Sequence, residues 1–281
     1  MSLVNLSQLM QKATQKHFAV GAFDVYNCEL AAGVIQAAEE ANSPVILAYV
    51  EAFDSLIPME AFAALLVQLA KDSFVPVCIH LDHATNKPVI ERAVACGFTS
   101  VMIDASTAPF EENIASTQDI VALCHPKDIS VEAELGHVSG NDGMYKTDTP
   151  IYTDVNEAAI FASRTQVDAL AVAIGTVHGV YKSKPVLSLD TCGKIKQAAD
   201  NIPLVLHGGS GLSDDDFRDL IQCGITKINI YTDLLLASMA CLRQTDFAGK
   251  TGLYDISTAI SAAVRAEALK KILLFGSAGM A

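Results

Sequence analysis

The sequence is poor in positive charge: 19 lysines and arginines stand against 32 aspartates and glutamates in 281 residues, a net charge of −13. No basic stripe remains that could track phosphates, which excludes a nucleic-acid binder and disfavours docking on an anionic membrane surface. An anionic small substrate is still admitted if a metal, backbone amides and one or two local cations reverse the field inside a site. Long hydrophobic runs are missing, and stretches such as Ala169 to Ile174 are far too short to cross a bilayer. The opening Met1-Ser2-Leu3-Val4-Asn5 has neither a basic segment nor an apolar core, so no signal peptide is expected. No Cys-x-x-Cys pair occurs among Cys28, Cys78, Cys96, Cys124, Cys192, Cys223 and Cys241. An odd number of scattered cysteines reads as small buried hydrophobes in a reducing compartment, and the expected location is cytoplasmic. Tryptophan is absent altogether, which excludes nothing.

Linkers, low-complexity tracts and charge blocks are missing too. In their place the chain repeats one beat. Short β-branched runs end in polar or glycine-rich residues and give way to Ala/Glu/Lys-rich stretches with helical spacing. The runs are Phe18–Phe23, Pro44–Val50, Pro76–Leu81, Ser100–Ile103, Ser130–Ala133, Ala169–Ile174, Pro203–Leu206 and Lys227–Ile230. Several are continuously apolar, as strands buried on both faces of a parallel sheet are. Between them, residues 29–40 place Leu30, Val34, Ile35 and Ala38 near a 3.6-residue period. Ser213 followed by three aspartates marks a helix start. Eight strand–helix beats predict a single-domain α/β fold over residues 1–281, a (β/α)8 TIM barrel. A doubly wound open sheet is the competing fold, but Gly21-Ala22-Phe23-Asp24 does not supply the GxGxxG that usually follows its first strand.

In such a barrel the chemistry gathers at the C-terminal ends of the strands. Read in that way, the ends offer Asp24 and Asn27, His80 to His83, Asp104 to Ser106, Glu132 to Glu134, Gly175 to Gly179, His207 to Gly211, and Asn229 to Asp233. One strand-end histidine is as readily a hydrogen-bonded structural residue. Three of them beside carboxylates match a catalytic zinc, which takes about three protein ligands and keeps one position open. His83, His178 and His207 fit that pattern. His80 is expected to pack or orient, and His17 and His125 to lie on the surface of the opposite rim. His207-Gly208-Gly209-Ser210-Gly211 and the Asn229–Thr232 turn follow the last two runs, where barrels hold phosphate with backbone amides and a helix N-terminus. Lys182, after the sixth run, offers a cation. Glycines alone are equally explained as turn residues.

The motifs HLDH at 80–83, MIDAS at 102–106, VEAELG at 131–136, AVAIGTVHGVY at 171–181, LVLHGGSGL at 204–212, KINIYTDL at 227–234 and FGSAG at 275–279 occur in order. Together they resemble the class II, metal-dependent fructose-bisphosphate and tagatose-bisphosphate aldolases, from AVGAFDVYN at 19–27 to the C-terminus. The resemblance implies a carbon–carbon lyase that reversibly cleaves a ketose 1-phosphate or 1,6-bisphosphate into dihydroxyacetone phosphate and an aldehyde. It implies zinc ligands His83, His178 and His207, and Asp82 as the acid that protonates the aldehyde oxygen during condensation. Asp104 and Glu134 would belong to an alternative or second metal position. Gly179, Gly208, Gly209, Ser210, Asn229, Ile230, Tyr231 and Thr232 would surround the dihydroxyacetone phosphate end, with a sodium or potassium ion at the phosphate loop. Zinc would stabilise the charge of the enediolate.

The chain departs from the family pattern twice. Where the family carries a proton-abstracting glutamate on a mobile loop, residues 137–143 hold none, and Asp142, or else Asp148, is the acid nearest the position. Cations for a distal phosphate are few, and Arg265 is the residue expected to serve; otherwise the distal end is a carboxylate or a neutral sugar tail. A homo-dimer or homo-tetramer is expected, with Ile272-Leu273-Leu274-Phe275 as the apolar stretch a neighbour would cover.

Three rival functions follow from the same residues. A Schiff-base aldolase needs a lysine at a strand's C-terminal end, and Lys227 reads as opening the eighth strand at the wrong rim. A barrel metallohydrolase usually takes an HxH pair from its first strand, which AFDVYN lacks. A non-catalytic sugar-phosphate sensor would have little use for a histidine triad beside Asp82.

Overall fold

The computed structural model describes residues 2–138, 140, 152–179, 181, 184–245 and 252–281. Eight parallel strands close on themselves in sequence order, β1 (Val20–Asp24), β2 (Val45–Val50), β3 (Val77–Ala84), β4 (Ser100–Ile103), β5 (Ser130–Leu135), β6 (Ala169–Val172), β7 (Leu204–Leu206) and β8 (Ile225–Ile230). Closure comes from β8 pairing with β1, Ala22 opposite Asn229. The barrel is therefore the observed fold, and the open sheet is ruled out. Residues 29–40 lie in α2 (Cys28–Glu40), which buries Leu30, Val34, Ile35 and Ala38 against the barrel. Ser213 caps α8 (Asp214–Gln222): its hydroxyl accepts from Asp216 N at 3.2 Å.

Counting by two along the strands explains where the polar residues go. Inside the barrel, Val20 and Ala22 of β1, Ile46 of β2, Cys78 of β3, Ala169 and Ala171 of β6 and Val205 of β7 form one apolar cluster. It is closed from below by Leu6, Leu9, Met10 and Ala13 of α1 (Leu6–Lys16). Because successive side chains alternate faces, stepping up from this layer reaches Asp24, His80, Asp82 and His207. The outward faces of the strands pack Phe23, Leu47, Tyr49, Val101 and Val131 in the larger core beneath the helices.

Two expectations change here. Ile272 and Phe275 are 0 % and 1 % exposed, because Phe275 packs on Phe217 at 5.1 Å between ring centroids. Most of that apolar stretch is therefore covered by its own chain, and only Leu273 is largely exposed. Uncovered apolar surface lies instead on α9 (Thr232–Gln244), at Leu236 and Met239, and at Leu253 and Tyr254 of α10 (Leu253–Leu274). Of the seven free cysteines, Cys78, Cys124 and Cys192 are buried, whereas Cys28 is exposed. Among the described residues no helix is long and apolar enough to cross a membrane.

Candidate active site

His83, His178 and His207 come together at the barrel mouth, one ring nitrogen of each within 4.8 Å of the others. His83 reaches the group through a backbone irregularity. On a regular strand, His80 and Asp82 would face inward and His83 outward. The pairing of β3 with β4 slips between Leu81 and Ala84, and His83 takes a positive φ of 49°. Such a bulge re-aims a side chain, and a non-glycine residue holds that conformation only where its surroundings fix it. Here they do. Nδ1 of His83 lies 2.9 Å from Asp104 Oδ2, and Nε2 lies 2.7 Å from His207 Nδ1. The opposite nitrogen of His207 is 3.0 Å from Glu132 Oε1. His178 follows β6 in a loop, its ring centred 5.1 Å from that of His83.

Asp82 is 1 % exposed, and its Oδ2 accepts from Asn229 Nδ2 at 3.0 Å. Burial pushes its carboxyl up, but neighbouring His83, the His80 contact and Lys227 together bring it well below the usual range. Glu134 goes the other way: burial and then repulsion from Asp104 raise it to about 8. His83, Asp104 and Glu134 form a second group whose donor atoms lie within 4.8 Å of one another. Among the described residues Glu134 Oε2 has no hydrogen-bond partner. The donor set therefore suits a divalent metal: three imidazoles, two carboxylates alongside, and an orphaned buried oxygen.

The glycine loop is shaped by close approach. Gly208 has φ of 68°, and a Cβ there would sit 2.4 Å from the carbonyl oxygen of Val177. Tyr181 holds the two loops together, its hydroxyl donating to Gly208 O at 2.7 Å and accepting from Val177 N at 3.2 Å. Ser210 Oγ accepts from the backbone N–H groups of Tyr231 and Asp233 at the start of α9. Asp82, His83, His178, Gly179, Gly208, Gly209, Ser210, Asn229, Tyr231 and Thr232 line one cleft with Asp24 and Val50.

Not every expected residue lies there. Ile230 is fully buried in the core under the helices and does not line the cleft. Arg265 sits on α10 with its Nε 2.8 Å from Glu40, the last residue of α2. That end of α2 leads back to the start of β2, at the rim away from the cleft. Asp142, Asp148 and Lys182 lie outside the described residues. His80 packs as expected, fully buried with Nδ1 2.8 Å from Ser100 Oγ. His17 and His125 are both exposed.

The sequence reading gave three groups no role at the site. Lys227 is the third residue of β8, not its opening, and is fully buried inside the barrel with Nζ 2.8 Å from Glu132 Oε2. Sealed there, it cannot reach a substrate carbonyl. Glu132, also fully buried, was legible by its two-residue spacing from Glu134. Burial raises its carboxyl, but Lys227 and the His207 hydrogen bond bring it down to about 2. His137 Nδ1 lies 2.8 Å from Ser106 Oγ, whose hydroxyl donates to Asp104 Oδ1 at 2.7 Å. That chain ties the start of the loop after β5 to the acid that holds His83.

Known proteins agree with this architecture. The family described as class II fructose-bisphosphate aldolase matches residues 4–280. YdjI, an uncharacterized protein of Escherichia coli K12, is 44% identical over 271 residues, covering 96% of each chain. A probable fructose-bisphosphate aldolase of Bacillus subtilis strain 168 is 38% identical over 287 residues, covering 100% of both. The crystal structure of the YdjI aldolase superposes with a TM-score of 0.90 at 41% identity, covering 99% of each chain.

Proposed function

The chain belongs to the class II fructose-bisphosphate aldolase family, and on that premise we propose that it is a zinc-dependent aldolase cleaving a phosphorylated ketose into dihydroxyacetone phosphate and an aldehyde. The observation that supports this most is the trio of imidazoles at the barrel mouth beside the buried carboxylate of Asp82. His83, His178 and His207 would hold the metal, with Asp104 and Glu134 as an alternative position. When bound, the metal supplies Lewis acidity that stabilises the negative charge of the enediolate.

The protein's own residues handle the protons. Asp82 stays ionised and is held by Asn229, so in cleavage it accepts the proton of the C4 hydroxyl and in condensation returns it. The proton at C3 is assigned to a separate acid, Asp142, which follows β5 in the sequence. Gly179, the amides of Gly208 to Ser210 and the turn from Asn229 to Thr232 cradle the phosphate at the start of α9, and Lys182 and a sodium or potassium ion are the cations assigned to it. None of the described residues lining the cleft is a lysine or arginine, which favours a ketose 1-phosphate over a 1,6-bisphosphate. The exposed apolar residues of α9 and α10 support a homo-dimer or homo-tetramer.

The test is condensation. Zinc-loaded protein given dihydroxyacetone phosphate and a panel of aldehydes should form a ketose phosphate, and a chelator should abolish the reaction. A covalent adduct trapped by borohydride would mark a Schiff-base route and overturn the reading.

A further inference from the structure

Beneath the three imidazoles lies a second layer of charge, of which only Asp82 takes part in the steps above. It consists of His80 and Asp82 from β3, Glu132 from β5 and Lys227 from β8, none more than 1 % exposed. The four groups converge. Lys227 Nζ is 2.8 Å from Glu132 Oε2 and 3.9 Å from Asp82 Oδ1. His80 Nε2 is 3.4 Å from Asp82 Oδ1 and 3.7 Å from Glu132 Oε2. The donor atoms of His80, Asp82 and Glu132 lie as close together as a metal site requires, but the ammonium of Lys227 already stands against both carboxylates. The barrel carries its own cation at this level.

Each carboxylate also reaches upward with its other oxygen. Glu132 Oε1 meets His207 Nε2 at 3.0 Å, and Asp82 Oδ2 meets Asn229 Nδ2 at 3.0 Å. If Nε2 of His207 carries its proton toward Glu132, Nδ1 is left with a lone pair, and it is Nδ1 that faces His83. A histidine whose second nitrogen donates to a carboxylate is fixed in tautomer and orientation as a metal ligand. A buried carboxylate without a counter-charge is costly, whereas a paired one is tolerated.

We propose that Glu132 and Lys227 are positioning residues for the metal centre: Glu132 fixes His207 with Nδ1 toward the metal, and Lys227 is the partner that pairs with Glu132 and stands against Asp82 in the sealed barrel interior. This rests on the metal-centre reading given above. It extends that reading to two residues that touch neither metal nor substrate. The pairing also explains why a lysine stands in the middle of the apolar sequence of β8, where a solvent-facing role is impossible.

The test compares zinc affinity, by competition with a chromogenic chelator, and the melting temperature of the metal-free protein. Glu132→Ala should bind zinc about 10- to 100-fold more weakly than wild type, and Glu132→Gln, whose amide oxygen still accepts, should lie between them. Lys227→Met should lower the melting temperature of the metal-free protein. Adding Glu132→Gln to it should restore part of that loss by removing the stranded charge. If Lys227→Met fails to fold, the double variant should fold. Zinc binding by Glu132→Ala within about twofold of wild type would overturn the proposal. So would a double variant no more stable than Lys227→Met. Wild-type protein that binds no zinc would overturn the metal centre itself, a distinct result seen before any variant is compared.

Discussion

His83 and His207 face each other nitrogen to nitrogen, Nε2 to Nδ1, at 2.7 Å. Two lone pairs cannot share that distance, so in the metal-free protein one of the two nitrogens carries a proton toward the other. Burial favours a neutral His83, but Asp82, the Asp104 hydrogen bond and Glu134 outweigh it and push the imidazole up to about 10.

The sign of the pH effect follows. A raised pKa stabilises the metal-free fold fully below the unfolded value of about 6.5, and that contribution is lost as pH rises through about 10. Glu134, raised to about 8, acts in the same direction, its contribution lost as pH rises from the ordinary carboxyl value through about 8. Zinc must displace the proton on His83, so its affinity should climb about tenfold per pH unit from about pH 7 and flatten above about pH 10. Chelator competition across that range checks it. An affinity independent of pH would contradict the assignment of His83.

The two proton transfers should separate by mutation. Asp82→Ala should lose ketose cleavage by about 10²- to 10⁴-fold while still exchanging the C3 proton of dihydroxyacetone phosphate with deuterated water. Asp142→Asn should lose both. Wild-type exchange in Asp142→Asn would move the loop acid elsewhere, with Asp148 the next residue to test.

The cleft's described lining carries Asp24 and neither lysine nor arginine. Aldehydes without a distal phosphate should therefore be condensed with higher kcat/KM than glyceraldehyde 3-phosphate. Steady-state rates over an aldehyde panel decide it, and a preference of tenfold or more for the phosphorylated aldehyde would refute it.

Leu236 and Met239 on α9 are 52 % and 46 % exposed, and Leu253 and Tyr254 on α10 are 79 % and 82 % exposed. Light scattering should give a dimer or tetramer at micromolar concentration. Leu236→Glu combined with Met239→Glu should shift it toward a monomer of 29.8 kDa. A wild-type monomer would contradict an assembly through these residues.

Much of this was legible in the sequence because barrel strands are short, apolar and end in their chemistry. The eight runs matched strands to within a few residues, and the triad came from three different strand ends or their loops. What the sequence concealed was direction. Nothing in HLDH announces the bulge that turns His83 inward beside Asp82. Lys227 read as a strand opening because charge usually marks an end, yet its partner Glu132 is 95 residues away in sequence. Arg265 fell on the wrong rim for the same reason: its place depends on how α10 lies along α2, and helix spacing alone does not encode that. The Ile272–Phe275 stretch read as an interface because its cover, Phe217, comes from another helix.

The most direct measurement is hydrogen exchange at C3 of dihydroxyacetone phosphate in deuterated water, followed by NMR, because it needs no knowledge of the aldehyde. Zinc-loaded wild type should exchange, with the activity lost to a chelator and restored by zinc. His83→Ala, His178→Ala and His207→Ala, each poor in zinc by elemental analysis, should not. Fully zinc-loaded wild type that fails to exchange, or exchange that survives complete removal of the metal, would contradict a metal-dependent aldolase centred on these three histidines.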